Sequence, residues 1–158
     1  TTGLSFTWVP EWLRQWCERQ GRTPGREEQE QIALTQQAHI EMAAHTHDIV
    51  VADTTALMTA VYSLQVFGDD SLRPFAIEQQ GRMHLTLLTA LDLPWVADGH
   101  QRDGPQVREP VDTTLLEWLT QARLPFVRVS GQGPARLDCA ARACEAVLPH
   151  LRQRVGEP

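Results

Sequence analysis

Asp48-Ile-Val-Val-Ala-Asp-Thr-Thr-Ala-Leu-Met-Thr-Ala-Val-Tyr-Ser63 is the stretch on which the reading of this chain turns. A short apolar run ends in one carboxylate and two hydroxyls, and a helical pattern starts at once. Continuous apolar residues over 48–53 predict a strand buried on both faces of a parallel sheet. Thr55 to Phe67 then carries helical periodicity, and Gly68-Asp-Asp70 stops it. Two readings of Asp53, Thr54 and Thr55 stand side by side. Any of the three can cap the following helix. Alternatively, an Asp at a strand end, where an unpaired carboxylate is costly, holds Mg²⁺ for a nucleotide.

The same punctuation recurs outward from this point. Leu4 to Val9 alternates and predicts a strand, ended by Pro10. Glu11 to Gln20 and Glu27 to Ala44 predict helices, the second with Ile32, Gln36, His39, Ile40 and Ala43 along one side. A short helix over 74–80 precedes a strand over 84–90. The polar stretch His100 to Pro110 reads as a mobile loop, and Asp112 to Ala122 as an amphipathic helix. Pro125 to Ser130 is the fourth strand, Gly131-Gln-Gly-Pro134 a turn, and Ala135 to Arg154 a closing helix. Strands alternating with helices predict βαβ units, a parallel sheet and the α/β class. Ligands in such sheets bind beyond the carboxyl ends of strands. Here those ends are Pro10-Glu11, Asp53-Thr54-Thr55, Ala90 to Pro94 and Ser130-Gly131.

Composition narrows the function classes. The chain has 158 residues, 42% of them hydrophobic and 22% charged, enough for one domain with a real core. A formal net charge of −6 argues against nucleic acid as a partner. No apolar run approaches a membrane span, and no signal peptide opens the sequence, so the expected location is cytoplasmic. Cys17, Cys139 and Cys144 match no zinc spacing and read as reduced thiols. His39, His45 and His47 beside Asp48 fit no helical zinc motif either. All fourteen basic residues are arginine, with no lysine anywhere.

Three segments occur in an order and spacing that point to one family: TWVPEWLRQW from Thr7, ADTTALMTAVYS from Ala52, and LPWVADGHQRDGPQVRE from Leu93. From about Phe6 to Cys144 the chain resembles the ribosylnicotinamide-kinase-like P-loop ATPases. These comprise the kinase domain of bifunctional NAD-biosynthesis regulators and its stand-alone relatives. The resemblance implies a three-layer P-loop NTPase-type parallel sheet of order 2-3-1-4-5, whose first strand is absent from these residues. It also implies a single domain over 1–158, N-terminally incomplete, with a lid over about 95–110.

The resemblance further implies roles. Asp53 matches the carboxylate that organises Mg²⁺ with ATP as phosphoryl donor, and Thr54 and Thr55 stand beside it. The family often carries a second Asp where this chain has Thr55. Glu11 and Arg14 match a pair lining the acceptor side; as an i,i+3 pair on a helix they are also an ordinary surface ion pair. Trp95, Asp98 and Gly99 match the start of the lid, where they would hold a nucleoside-like acceptor such as nicotinamide riboside. Arg102 and Arg108 match lid arginines that close over the triphosphate, or are simply solvated. Arg136, after Gly131-Gln-Gly133, falls where related folds bind adenine. The Gly-x-x-x-x-Gly-Lys-Ser/Thr loop of such kinases occurs nowhere in 1–158. The family places it before Thr1. Phosphoryl transfer to a nucleoside-like molecule is therefore the expected activity, and a degenerate nucleotide-sensing or partner-binding module without turnover is the alternative.

Overall fold

The computed structural model describes residues 3–94 and 105–155. Four strands and six helices alternate along the chain: β1 Phe6–Val9, α1 Trp12–Gln20, α2 Gln29–Ala44, β2 Ile49–Ala52, α3 Ala56–Phe67, α4 Arg73–Gln80, β3 Thr86–Thr89, α5 Pro105–Gln121, β4 Phe126–Val129 and α6 Pro134–Val155. A 3₁₀ turn over Arg26–Glu28 leads into α2. Every strand lies within its expected segment, and the chain is α/β.

The strands form two parallel pairs and no continuous sheet among the described residues. In the first, Phe6 aligns with Ile49 and Val9 with Ala52; in the second, Thr86 aligns with Phe126 and Thr89 with Val129. At its entry the first pair is pinned by Asp48, whose Oδ2 accepts from both Ser5 N (2.8 Å) and Ser5 Oγ (2.7 Å). Those bonds to the charged form hold the Asp48 carboxyl below its ordinary range. At the exit Asp53 N donates to Val9 O at 2.8 Å.

The expectation that β2 is buried on both faces is corrected. Val51 is 43% exposed, and its register partner Trp8 is 57% exposed, beside Phe6 at 62%. Helix α2 packs against both strands, and Val9 of β1 and Ile32 and Ile40 of α2 are buried. An apolar run in the sequence marks a strand suited to two-sided burial; the described residues supply a helical layer for only one side.

The main core is built around α3. Ala56, Leu57, Ala60 and Val61 are buried with Ala33 of α2, Ala76 of α4, Leu88 of β3 and Val111, Leu115, Trp118 and Leu119 of α5. Alanines at 56 and 60 let neighbouring helices approach closely, and Gly68 ends α3 in the left-handed region (φ 66°).

Residues 105–110 are also a correction. They are the first turns of α5, although Pro110 sits inside the helix. Pro105 at the first helical position is compatible with a helix start. Val107 and Val111 pack on the core and carry the helix through the proline, which propensity alone would not predict.

Two outcomes test this packing. Leu119→Ala is expected to cost about 2–5 kcal/mol of unfolding free energy in urea titration. Leu137→Ala, at a side chain 70% exposed, should change it by less than about 0.5 kcal/mol. Before α2, the Glu28 carboxylate takes a two-pronged bond from Arg22 (2.7 Å each) and one from Gly25 N (2.7 Å). The Arg22 guanidinium, first among these, lowers the Glu28 pKa from 4.5 to about 2. The folded value is depressed, so its contribution to stability is complete above the unfolded value and vanishes as pH falls towards about 2. In a carboxyl NMR titration, Arg22→Ala should move the Glu28 midpoint up towards 4.5.

Candidate functional site

The turn Asp53-Thr54-Thr55 connects β2 to α3 and carries the most unusual backbone of the described residues. Thr54 has φ 63°, a left-handed conformation that a β-branched residue rarely adopts. Such strain persists where surrounding contacts over-determine it, commonly at functional sites. The contacts here come from two buried glutamines. Gln36 of α2 accepts from Trp12 N at 2.7 Å, while its Nε2 reaches Pro10 O (3.4 Å) and Thr54 O (3.5 Å). Gln80, at the end of α4, accepts from Thr55 Oγ1 (2.6 Å) and donates to Thr86 Oγ1 (2.7 Å).

Thr55 is the helix cap, its Oγ1 accepting from Leu57 N at 3.3 Å. That frees Asp53 from capping duty. The Asp53 carboxylate is exposed and makes no hydrogen bond or ion pair with the described residues. The desolvation cost expected of a carboxylate at a doubly buried strand end therefore does not arise, because β2 is open on one face.

A single solvent-facing carboxylate fits Mg²⁺ bound with a nucleotide. That ion keeps several waters and takes one or two protein carboxylates besides phosphate oxygens. No group of three His, Cys, Asp or Glu side chains among the described residues could hold a metal by itself. The histidines have other duties. His39 meets Trp12 edge-on at 5.3 Å, and His45 Nδ1 lies 2.6 Å from Glu41 O at the end of α2.

Glu11 and Arg14 lie at the start of α1, their closest charged atoms 3.8 Å apart. The register carries them alongside the Asp53 turn, since Val9 pairs with Ala52 immediately before both. Arg108 and Arg136 belong elsewhere. Arg108 Nη1 donates to Leu93 O at 2.6 Å and lines an open cleft of about 510 Å³ with Leu91, Asp112 and Arg128. Arg128 of β4 grips Asp112 in a two-pronged bond of 2.6 and 2.5 Å, and the partner carboxylate raises its pKa. Arg136 staples the second strand pair, donating to Asp92 Oδ1 (2.7 Å), Gly131 O (2.8 Å) and Ala90 O (3.0 Å). Asp92 also accepts from Gly131 N at 2.6 Å, and these two partners, Arg136 first, hold its carboxyl below the ordinary range. Trp95, Asp98, Gly99 and Arg102 lie outside the described residues.

The two strand pairs share no hydrogen-bonded edge, and Gln80 bridges the turn after β2 to the amino end of β3. Gln36, Gln80 and Asp92 were missed as site residues. Gln36 had a signal, a polar side chain on the apolar side of its helix. Asp92 lay within the strand end Ala90 to Pro94, and Gln80 had no signal.

Parallel strand pairs with helical crossovers and an exposed acidic turn at a strand's carboxyl end define an α/β domain of the ligand-binding kind. A family model described as an AAA domain matches residues 2–136. The chain belongs to that family, and with it to the P-loop nucleotide-binding proteins. The comparison with curated proteins found no match.

The left-handed turn makes its own prediction. An L-residue pays about 1–2 kcal/mol for this conformation and glycine pays almost none, against about 0.5–1 kcal/mol of extra chain entropy. Thr54→Gly should therefore leave the urea midpoint unchanged or raise it by up to about 1 kcal/mol in free energy. A clear loss would show that the Thr54 side chain itself holds the turn.

Proposed function

We propose that this chain is the acceptor-side and lid-side portion of a P-loop kinase that transfers the γ-phosphoryl of ATP to a nucleoside-like hydroxyl. By resemblance that acceptor is nicotinamide riboside. The observation that carries the reading is Asp53, an exposed carboxylate without a partner among the described residues. It stands at the carboxyl end of a parallel strand in a strained turn, within a segment the AAA-domain family covers.

In this reading Asp53 would hold Mg²⁺ through its carboxylate. The ion would supply charge neutralisation of the phosphate oxygens. Glu11 and Arg14 bind the acceptor on the adjoining β1 turn, with Trp95, Asp98 and Gly99 at its other end. Arg102 and Arg108 stabilise charge on the phosphates by bidentate contact, and Arg136 borders the base. Arg108 must exchange its bond to Leu93 O for that role. The phosphate-binding loop comes from outside 1–158. In the order 2-3-1-4-5 that the resemblance implies, the strand carrying it would lie between β2 and β3. The two strand pairs are those this order leaves when its central strand is removed. Seating that strand would require the Thr55–Gln80–Thr86 bridge to open.

One observation favours a second reading, a nucleotide sensor without turnover. Thr55, where relatives often carry a second carboxylate, commits its hydroxyl to Leu57 N and Gln80 and offers no general base.

The test is Mg·ATP calorimetry on the full-length gene product, followed by a kinase assay with a panel of nucleosides. We expect Mg-dependent ATP binding and phosphorylation of a ribosyl nucleoside, with Asp53→Asn lowering turnover by about 10²-fold or more. ATP binding without consumption would establish the sensor, and unchanged turnover in Asp53→Asn would remove Asp53 from the mechanism.

A further inference from the structure

We infer that Gln36 is the positioning residue of this site: one buried amide locks the carboxyl-end turns of β1 and β2 together. It thereby sets the residues expected to face the acceptor against the carboxylate expected to hold the metal. The inference deepens the reading of Asp53 given above and rests on it for its functional consequence.

The argument starts from what a glutamine costs in this place. Gln36 is 2% exposed, in the middle of α2, on the side of that helix that packs against the first strand pair. A buried amide without partners is strongly unfavourable, so its oxygen and its nitrogen must both be used. The oxygen accepts from Trp12 N at 2.7 Å. Trp12 opens α1, and a first-turn N–H has no partner inside its own helix. Glu11, the residue before it, supplies no capping bond. Gln36 therefore acts as the cap of α1 from a different helix.

Its nitrogen faces two carbonyls, Pro10 O at 3.4 Å and Thr54 O at 3.5 Å, one from each turn. These two long contacts bracket the residues of interest. Pro10 and Trp12 flank Glu11, and Thr54 follows Asp53. Thr54 is also the residue with the left-handed φ of 63°. The buried amide therefore contacts the strained turn directly.

The test uses the full-length gene product and nuclear magnetic resonance. In the native chain, the Trp12 amide is expected to exchange slowly although it opens a helix, and Thr54 to show the coupling constant and Cα shift of a left-handed residue. Gln36→Met removes both functions. Gln36→Glu keeps the acceptor for Trp12 but replaces the donor with a second acceptor. We expect Thr54 to lose its left-handed signature in both variants, and Trp12 to keep its protection only in Gln36→Glu. Mn²⁺ added with ATP serves as the probe of the carboxylate, broadening the amides of residues 53–55. Its dissociation constant should weaken about tenfold in Gln36→Met, as for other residues that orient a ligand to a metal.

A Thr54 signature and an Mn²⁺ affinity unchanged in Gln36→Met would overturn the inference. So would rapid exchange of the Trp12 amide in the native chain, a measurement that needs no variant to fold. Failure of Mn²⁺ to broaden 53–55 in the native chain would count against the metal reading of Asp53. The Thr54 and Trp12 signals would still decide whether Gln36 locks the two turns.

Discussion

The two strand pairs share no hydrogen-bonded edge, so the close packing of α3 against α2, α4 and α5 carries the structural continuity of the chain. Ala56 and Ala60 are buried at the centre of that packing, and any larger side chain there would push a neighbouring helix outward. Leu88 brings β3 into the same core, with Phe126 of β4 packed against it. The first strand pair depends instead on α1 and α2, through Val9, Cys17, Ile32 and Ile40. Everything that places Asp53 relative to the β3–β4 cluster passes through α3, α4 and the Gln80 bridge.

That arrangement explains why the acidic turn can be strained. Thr54 is held by a helix on one side, through Gln36, and it precedes a cap that is itself bonded to Gln80. Buried amides are directional and expensive to leave unpaired, so they define one geometry where apolar contacts would tolerate several. The exposed carboxylate of Asp53 lies between these two anchors. A rigid turn presenting a single free carboxylate suits a cation that is completed by water and phosphate. It does not suit a cation that needs a full set of protein ligands.

Much of the fold was legible because its signals are local. The apolar run before Asp53, the alternation in Phe6–Val9, and the stops at Gly21 and Gly68 act over a few residues, and each maps to an observed boundary. The capping reading of Thr55 was legible for the same reason. Residues 105–110 were not, since Pro110 signals a break and only burial of Val107 and Val111 overrides it. Arg136 was legible as a strand-end residue, but two of its three bonds, to Asp92 and Ala90, join positions 44 and 46 residues apart in the chain. The role of Gln80 was equally distant from any local pattern, and the helical pattern around Gln36 did not name its partners.

By itself, then, the sequence determined the alternation of strands and helices, the α/β class, and a carboxylate with two hydroxyls at a strand end. These follow from side-chain periodicity and backbone preference, which act between near neighbours. Only the tertiary structure decided that β2 is open on one face and that the described strands form two separate pairs. It alone decided that Thr55 caps α3 while Asp53 stays exposed. Those outcomes depend on which distant groups satisfy buried polar atoms and cover apolar surface, and such partners have no fixed spacing along a chain.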